Sequence, residues 1–244
     1  MKYLLTLCIA SVLLLSSCNV AYRSAALNTP LFSAKNQLAI VAANNNIQAA
    51  YAVTDHVGVM ANGFFEQSVI SNNETGQGGT GYLGEIGAGY FTPLADPNVI
   101  FETYAGMGYG HLYLNNNYRD GSNNVQKRTL DADGIKGFIQ PAIGYKLPYV
   151  EVSAALRYTV LNYTGIRTSN WPQQELVQAD LNQLGTSAFH FVEPGVTLRT
   201  GFKNVKIQLQ YLYCMKLNPE QIRFRSDQFI VGVFIKLPTN NDPH

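Results

Sequence analysis

The chain has 244 residues, 17 Lys and Arg against 16 Asp and Glu, and a charged fraction of only 14%, against roughly 25% in soluble domains. A near-neutral balance excludes a nucleic-acid partner held by a basic surface, and four scattered histidines, His56, His111, His190 and His244, form no metal-ligand spacing. No metal and no cofactor is expected.

Residues 1–17 carry Lys2 and then a mostly apolar run between Leu4 and Leu15, the pattern of a signal peptide. The run is too short for the roughly 20 apolar residues of a spanning helix. Leu15-Ser16-Ser17-Cys18 resembles a bacterial lipobox. The resemblance implies cleavage before Cys18 and attachment of diacylglycerol to its sulfur, with palmitate as an expected acyl component. Of the three cysteines, Cys8 then leaves with the signal and Cys18 is acylated. Cys214 remains alone, with no partner for a disulfide or a cysteine-based zinc site. Processing removes Lys2 alone among charged side chains, so acids and bases become equal.

Residues 18–36 show no period and read as a lipidated tether. From 37 to 237 the signal is alternation with period two, which marks half-buried strands. The clearest segment is 150–162, where Val150, Val152, Ala154, Leu156, Tyr158 and Val160 share one face and Glu151, Ser153, Ala155, Arg157 and Thr159 the other. Segments 190–201 and 205–214 repeat it. Weaker versions occupy 37–43, 47–54, 57–67, 81–91, 100–113, 135–146 and 229–237. This gives about ten strands, or eight if two of the first three are too short to count, each near the 9 to 11 residues that cross a tilted bilayer.

The connections alternate in length. Short ones fall at 54–56, around Asp96-Pro97, at 147–149 and at 202–204; long ones at 68–80, 114–134, 164–188 and 215–226. Short turns on one rim and long loops on the other is the pattern of a transmembrane barrel, with the short turns periplasmic. An even strand count then predicts both chain ends on the periplasmic side. The expected fold is all-β: an antiparallel up-and-down transmembrane β-barrel over 37–237, with no internal repeat, no second domain and a periplasmic tail over 238–244.

The stretch "NIQAAYAVTDHVGVMANGFF", residues 46–65, resembles the opening hairpin of small bacterial outer-membrane β-barrel proteins, and the strand and loop pattern carries the likeness to Leu237. The resemblance implies fold and location rather than activity. Such barrels commonly end on an aromatic strand residue, whereas "FIVGVFIKL" here is followed by the tail.

Alternation does not say which face points inward; the polar face decides. It carries Glu66, Glu85, Glu102, Glu151 and Glu193 with Lys136, Lys146, Arg157, Arg199 and Lys206, among small residues such as Gly87, Gly106, Gly144 and Gly195. Small neighbours fit long charged chains within a narrow lumen, and a face of Tyr, Val, Ile and Leu suits lipid. Charges away from bulk water need partners, so these ten residues are expected to fill the lumen with ion pairs.

His111 and His190 fall near the long-loop rim, with Asp120, Asp131, Asp133 and Asp180 assigned to the loops and Ser187 close to His190. Outer-membrane proteases and lipid A deacylases place a general-base His at that rim, but no spacing motif joins these residues, and the expectation is no enzyme. Residues 119–128, "RDGSNNVQKR", read as a solvated loop tip. "GQGGTG", residues 76–81, reads as loop and lacks the Lys and strand-to-helix setting of a phosphate cradle. Residues 172–184 predict a short amphipathic helix, with Val177, Leu181 and Leu184 as its stripe, Gly185 as its stop, and Trp171 beside it.

The sequence therefore points to an outer-membrane β-barrel lipoprotein with a structural or surface-interaction role. Its partners are outer-membrane lipid and, through the long loops, an extracellular partner. Three alternatives remain: a lipocalin-like lipoprotein binding an apolar ligand, a narrow channel, and a rim enzyme acting on lipid or peptide. The only tryptophan, Trp171, is far from the early Gly-x-Trp of lipocalins.

Overall fold

The computed structural model describes residues 20–68, 76–119 and 121–237; the signal, Cys18, Asp120 and the tail 238–244 lie outside the described residues. The strands are β1 Leu38–Ala43, β2 Asn46–Ala52, β3 Val57–Ser68, β4 Gly76–Pro93, β5 Val99–Arg119, β6 Val125–Lys146, β7 Val150–Ser169, β8 Phe189–Gly201, β9 Val205–Tyr213, β10 Met215–Lys216 and β11 Asp227–Leu237. β10 is a two-residue pairing onto β8 beyond the end of β9. The other ten form one antiparallel ring in chain order, with β8 pairing β9 and β9 pairing β11. β1 and β11 close it, from Leu38↔Leu237 to Ala43↔Gly232. The count is ten rather than eight.

Each strand alternates as its sequence does. β7 runs exposed, buried, exposed from Val150, and the same rhythm governs β2, β9 and β11. The charged side chains at mid-height fall on the buried face and the aliphatic ones on the exposed face. Glu85, Glu102, Lys136, Glu151, Arg157, Glu193, Arg199 and Lys206 are buried, while Ile86, Met107, Ile139, Leu156, Val196 and Ile207 are exposed. The barrel is inside-out relative to a water-soluble one.

Aromatic side chains mark two levels on the exterior. Tyr51, Tyr90, Tyr145, Tyr149 and Phe202 lie at the short-turn rim, and Phe65, Tyr82, Tyr109, Tyr158, Tyr211 and Phe229 lie higher, on β3, β4, β5, β7, β9 and β11, all exposed. On β4, which carries both levels, Tyr82 and Tyr90 are eight residues apart, roughly 20 Å at about 3.3 Å per residue and a tilt near 40°. Between the two levels the exterior is aliphatic.

The wall has an uneven height. β5 and β6 have 21 and 22 residues, whereas β1 and β2 have 6 and 7; at the same rise and tilt this is about 50 Å against less than 20 Å. The alternation signal ends β4 to β7 too early because the outward face turns polar there, as at Thr129, Asp131 and Asp133, while Leu114, Leu130 and Ala132 stay buried and the backbone ladder continues, as at Asn115↔Thr129 and Asn116↔Arg128. Consequently Asp131 and Asp133 belong to β6 and Gly76–Gly81 to β4 rather than to loops, and only 121–124 remain as the described part of the β5–β6 turn.

The predicted helix is shorter than its pattern: α1 spans Gln173–Gln178. Asp180, at φ 56, ends the helical path. Leu176, Leu181 and Leu184 are buried, and Val177 is exposed, so Val177 is not part of the inward stripe. These leucines belong to one apolar cluster with Phe189, Phe191, Ile222, Trp171 and Phe224, which joins the two long loops.

Candidate functional site: the occupied lumen

Residues 20–35 form no strand or helix, as their aperiodic sequence suggests, but they do not trail outside the barrel. They run down its axis. Ser24, Ala25, Ala26, Leu27, Asn28, Thr29, Leu31 and Phe32 are all buried. At the long-loop end the Ala21 N–H donates to Arg223 O at 2.8 Å, the Arg225 N–H donates to Tyr22 O, and Tyr22 bridges Phe224. At the short-turn end the Lys35 N–H donates to Asp55 Oδ1 at 3.0 Å and the Asn36 N–H to Ala52 O at 2.7 Å. The expectation that both chain ends lie at the short-turn rim holds for the start of β1 and the end of β11; Val20 lies at the other rim.

An extended backbone in a lumen needs partners for every N–H and C=O, and inward amides of the wall supply them. Gln210 accepts from the Leu27 N–H and donates to Leu27 O, both at 2.9 Å, as a neighbouring strand would. Ala26 donates to Asn46 Oδ1 and accepts from Gln48 Nε2. Gln228, Gln140 and Arg199 donate to the carbonyls of Ser24, Asn28 and Thr29 at 3.1, 2.7 and 2.8 Å. The Leu31 N–H donates to Glu102 Oε2 at 3.0 Å. Leu31 has φ 50, a left-handed backbone that costs a side-chain-bearing residue on the order of 1 to 3 kcal/mol and is held by its surroundings.

The side chains of this segment fit hollows in the wall. Leu31 lies against Gly144, where an added Cβ would approach it to 2.5 Å, and Leu27 against Gly195 at the same distance. Phe32 packs edge-on to Phe91, with ring centroids 5.5 Å apart, inside a cluster with Met60, Tyr104, Phe138 and Phe234. Tyr22 stacks on Phe191 at 4.5 Å and donates to Glu193 Oε1 at 2.5 Å. Arg23 spans the gap above the two-residue turn Asn44-Asn45 between β1 and β2, pairing Glu66 on β3 at 2.6 Å and Gln228 on β11 at 2.7 Å.

The ten residues singled out as lumen charges thus divide in two. Glu85 is flanked by Lys136 at 2.7 Å and Arg157 at 3.5 Å, and Glu151 by Lys206 at 2.7 Å and Arg199 at 3.2 Å; these two carboxylates tie wall strands together. Glu66, Glu102 and Glu193 instead engage Arg23, the Leu31 N–H and the hydroxyls of Tyr22 and Ser24. Lys146 reaches Leu31 O and Ser33 Oγ. Sequence reasoning missed the plug and its amide partners. The available signal was the set of inward glutamines Gln48, Gln140, Gln210 and Gln228, each of which donates to a carbonyl of the plug.

Both candidate rim histidines point away from the lumen. His111 lies on the outer face with Nδ1 2.9 Å from Asp133 Oδ1 and Nε2 3.4 Å from Asp131 Oδ1, beside Tyr82. His190 Nδ1 lies 2.6 Å from the Tyr158 hydroxyl, and its backbone N–H donates to Asn218. Among the described residues the two do not converge with each other or with Ser187, and no group of His, Cys, Asp and Glu is arranged to hold a metal ion.

No family model and no curated protein matches the chain. Among solved structures it is similar to one described as "NanC porin structure in rhombohedral crystal form", at 8% identity and a TM-score of 0.28, over 82% of this chain and 99% of that one. The ring closure and register above establish the fold without that likeness.

Proposed function

We propose that this chain is an integral outer-membrane β-barrel lipoprotein, acylated at Cys18, with a structural or surface-interaction role and a lumen closed by its own N-terminal segment. The observation that carries this reading is the exterior: an aliphatic belt between two aromatic levels, on a barrel whose charged side chains at that height face inward. An apolar band about 25 Å tall flanked by aromatic girdles is the surface that a bilayer selects. In water the same surface would leave a contiguous apolar area far beyond what monomeric soluble proteins expose.

The filled interior argues against the other classes. An apolar-ligand carrier needs an open apolar chamber, and here Gln, Glu, Arg and the plug backbone occupy the axis. A channel needs a continuous water path past the same groups. A rim enzyme needs convergent groups, and His111 and His190 face outward on different strands. What remains on the long-loop side is surface: the β5–β6 extension, the α1 loop and the connection 214–226, which are the parts offered to an extracellular partner.

The test is fractionation of native membranes, a carbonate and urea wash, and electrophoresis with and without boiling. Retention in the outer-membrane fraction with a heat-dependent mobility shift is the expected result. Release by the wash, or no shift, overturns the integral barrel and leaves a soluble barrel tethered by lipid alone.

A further inference from the structure

The direction in which the plug runs sets where the chain upstream of Val20 must go. Its contacts descend in order: Ala21 and Tyr22 meet the loop carrying Arg223 and Phe224, Leu27 meets mid-barrel Gln210, Leu31 meets Glu102 and Lys146, and Lys35 meets Asp55 at the opposite rim. The segment is fixed at both ends and at the carbonyls of Ser24, Ala26, Leu27, Asn28, Thr29 and Leu31 between them, so its sense is not interchangeable.

Magnitudes exclude the opposite exit. Cys18 is two residues from Val20, which at 3.8 Å per residue is a reach of about 8 Å. From Tyr22 to Lys35 the extended path is on the order of 40 Å. A chain leaving Val20 toward the short-turn rim would have to retrace a lumen that the plug itself fills. Val20 itself lies at the long-loop end, where a cavity of about 90 Å³ between the plug and the wall is lined by Phe64, Gly81, Leu83, Leu112 and Leu161.

We propose that the chain upstream of Val20, Cys18 and its lipid included, is presented on the long-loop face, so that anchor and loops share one side of the membrane. Given the lipid and the orientation proposed above, on which this rests, the acyl chains enter the outer leaflet. The protein is then a lipoprotein displayed at the cell surface by threading through its own barrel. An anchor in the periplasmic leaflet, where the first strand begins, is incompatible with the path of residues 20–35.

Three versions of the full chain test this, each with one short epitope: between Asn19 and Val20, between Gly121 and Ser122 where an added side chain meets open space, or after His244. Antibody is added to intact and to permeabilised cells, and the heat-dependent mobility shift verifies folding of each. The N-terminal and loop epitopes are expected to be labelled equally on intact cells, and the C-terminal epitope only after permeabilisation. An N-terminal epitope that behaves like the C-terminal one overturns the proposal. Loop and N-terminal epitopes both protected, with the C-terminal one accessible, would retain the shared face and overturn the orientation instead. The mass of the N-terminal peptide reports acylation separately, so an unmodified Cys18 would remove the lipid and leave the topology result standing. If the insertion disturbs folding, Asn19→Cys with an impermeant maleimide gives the same reading, since Cys214 is buried.

Discussion

At the scale of single residues, the lumen is governed by the cost of an uncompensated charge. Glu151 is the shared counter-charge of Arg199 and Lys206, and all three are buried. Glu151→Gln leaves two cations facing each other without an anion, and removing one member of such a buried group typically costs about 3 to 5 kcal/mol. The expected outcome is a clear drop in the temperature at which the folded electrophoretic form disappears. Replacing Glu151, Arg199 and Lys206 together by apolar residues of similar size is expected to cost much less, because no charge is stranded. Cys214 illustrates the same solvent exclusion beyond the end of β9: burial, with the Glu193 charge adding to it, pushes its thiol up to about 12. At pH 8 it is protonated in the folded protein, so a maleimide reagent should label it only after unfolding.

At the scale of elements, strands were legible in the sequence and the plug was not, for one physical reason. A strand between lipid and lumen sees two different environments, so its residues alternate and the period is visible, as in 150–162. Higher up the outward face turns polar while Leu114, Leu130 and Ala132 stay buried inside; the ladder of β5 and β6 continues but the apolar-outward pattern is lost, which is why Asn115 to Asn117 read as loop. The plug sees wall on every side. No face of it is favoured, so Ala25, Leu27, Asn28 and Phe32 follow no period although all are buried. The inward glutamates and arginines were legible as a polar face, but which of them meet each other and which meet Leu31 or Tyr22 depends on that unseen occupant. The fit between Leu31 and Gly144 makes the link testable. Gly144→Ala is expected to destabilise by about 1 to 3 kcal/mol, the usual cost of overpacking, and Leu31→Ala in the same chain should recover much of that loss. Denaturant midpoints of the two single variants and the double variant measure the coupling; additive effects would mean that the segment does not press on the wall there.

For the whole molecule, the plug decides between a pore and a closed barrel. A ten-stranded wall encloses an axis that residues 20–35 occupy from rim to rim, with wall side chains bonded to the plug's carbonyls and N–H groups along the way. The full chain in a planar lipid bilayer is therefore expected to give no sustained large conductance. Deletion of residues 20–35, checked by the mobility shift, should produce openings; large steady conductance from the intact chain would instead mean that the plug leaves the lumen in lipid. The low side of the wall adds a second consequence. With 6 and 7 residues, β1 and β2 are shorter than a bilayer core is thick, so in the membrane location proposed above lipid beside this hairpin would thin, a mismatch costing fractions of a kcal/mol per Å.

The seam between β1 and β11 joins residues as far apart as Leu38 and Leu237, and it encircles a strand of the same chain. Threading a finished ring would require passing the head of the chain, with any acyl group on it, through a bore already matched to Leu27, Leu31 and Phe32. Curling the sheet around the segment requires no such passage. The order of events during biogenesis follows: the N-terminal stretch is laid against the growing sheet first, and the two outermost strands zip last. Once they have, the segment is held by covalent continuity into β1 at one rim and by its bonds to Gln210, Gln140 and Arg199 within the lumen. In the acylated form proposed above, release of the segment would require the ring to reopen at one of its seams.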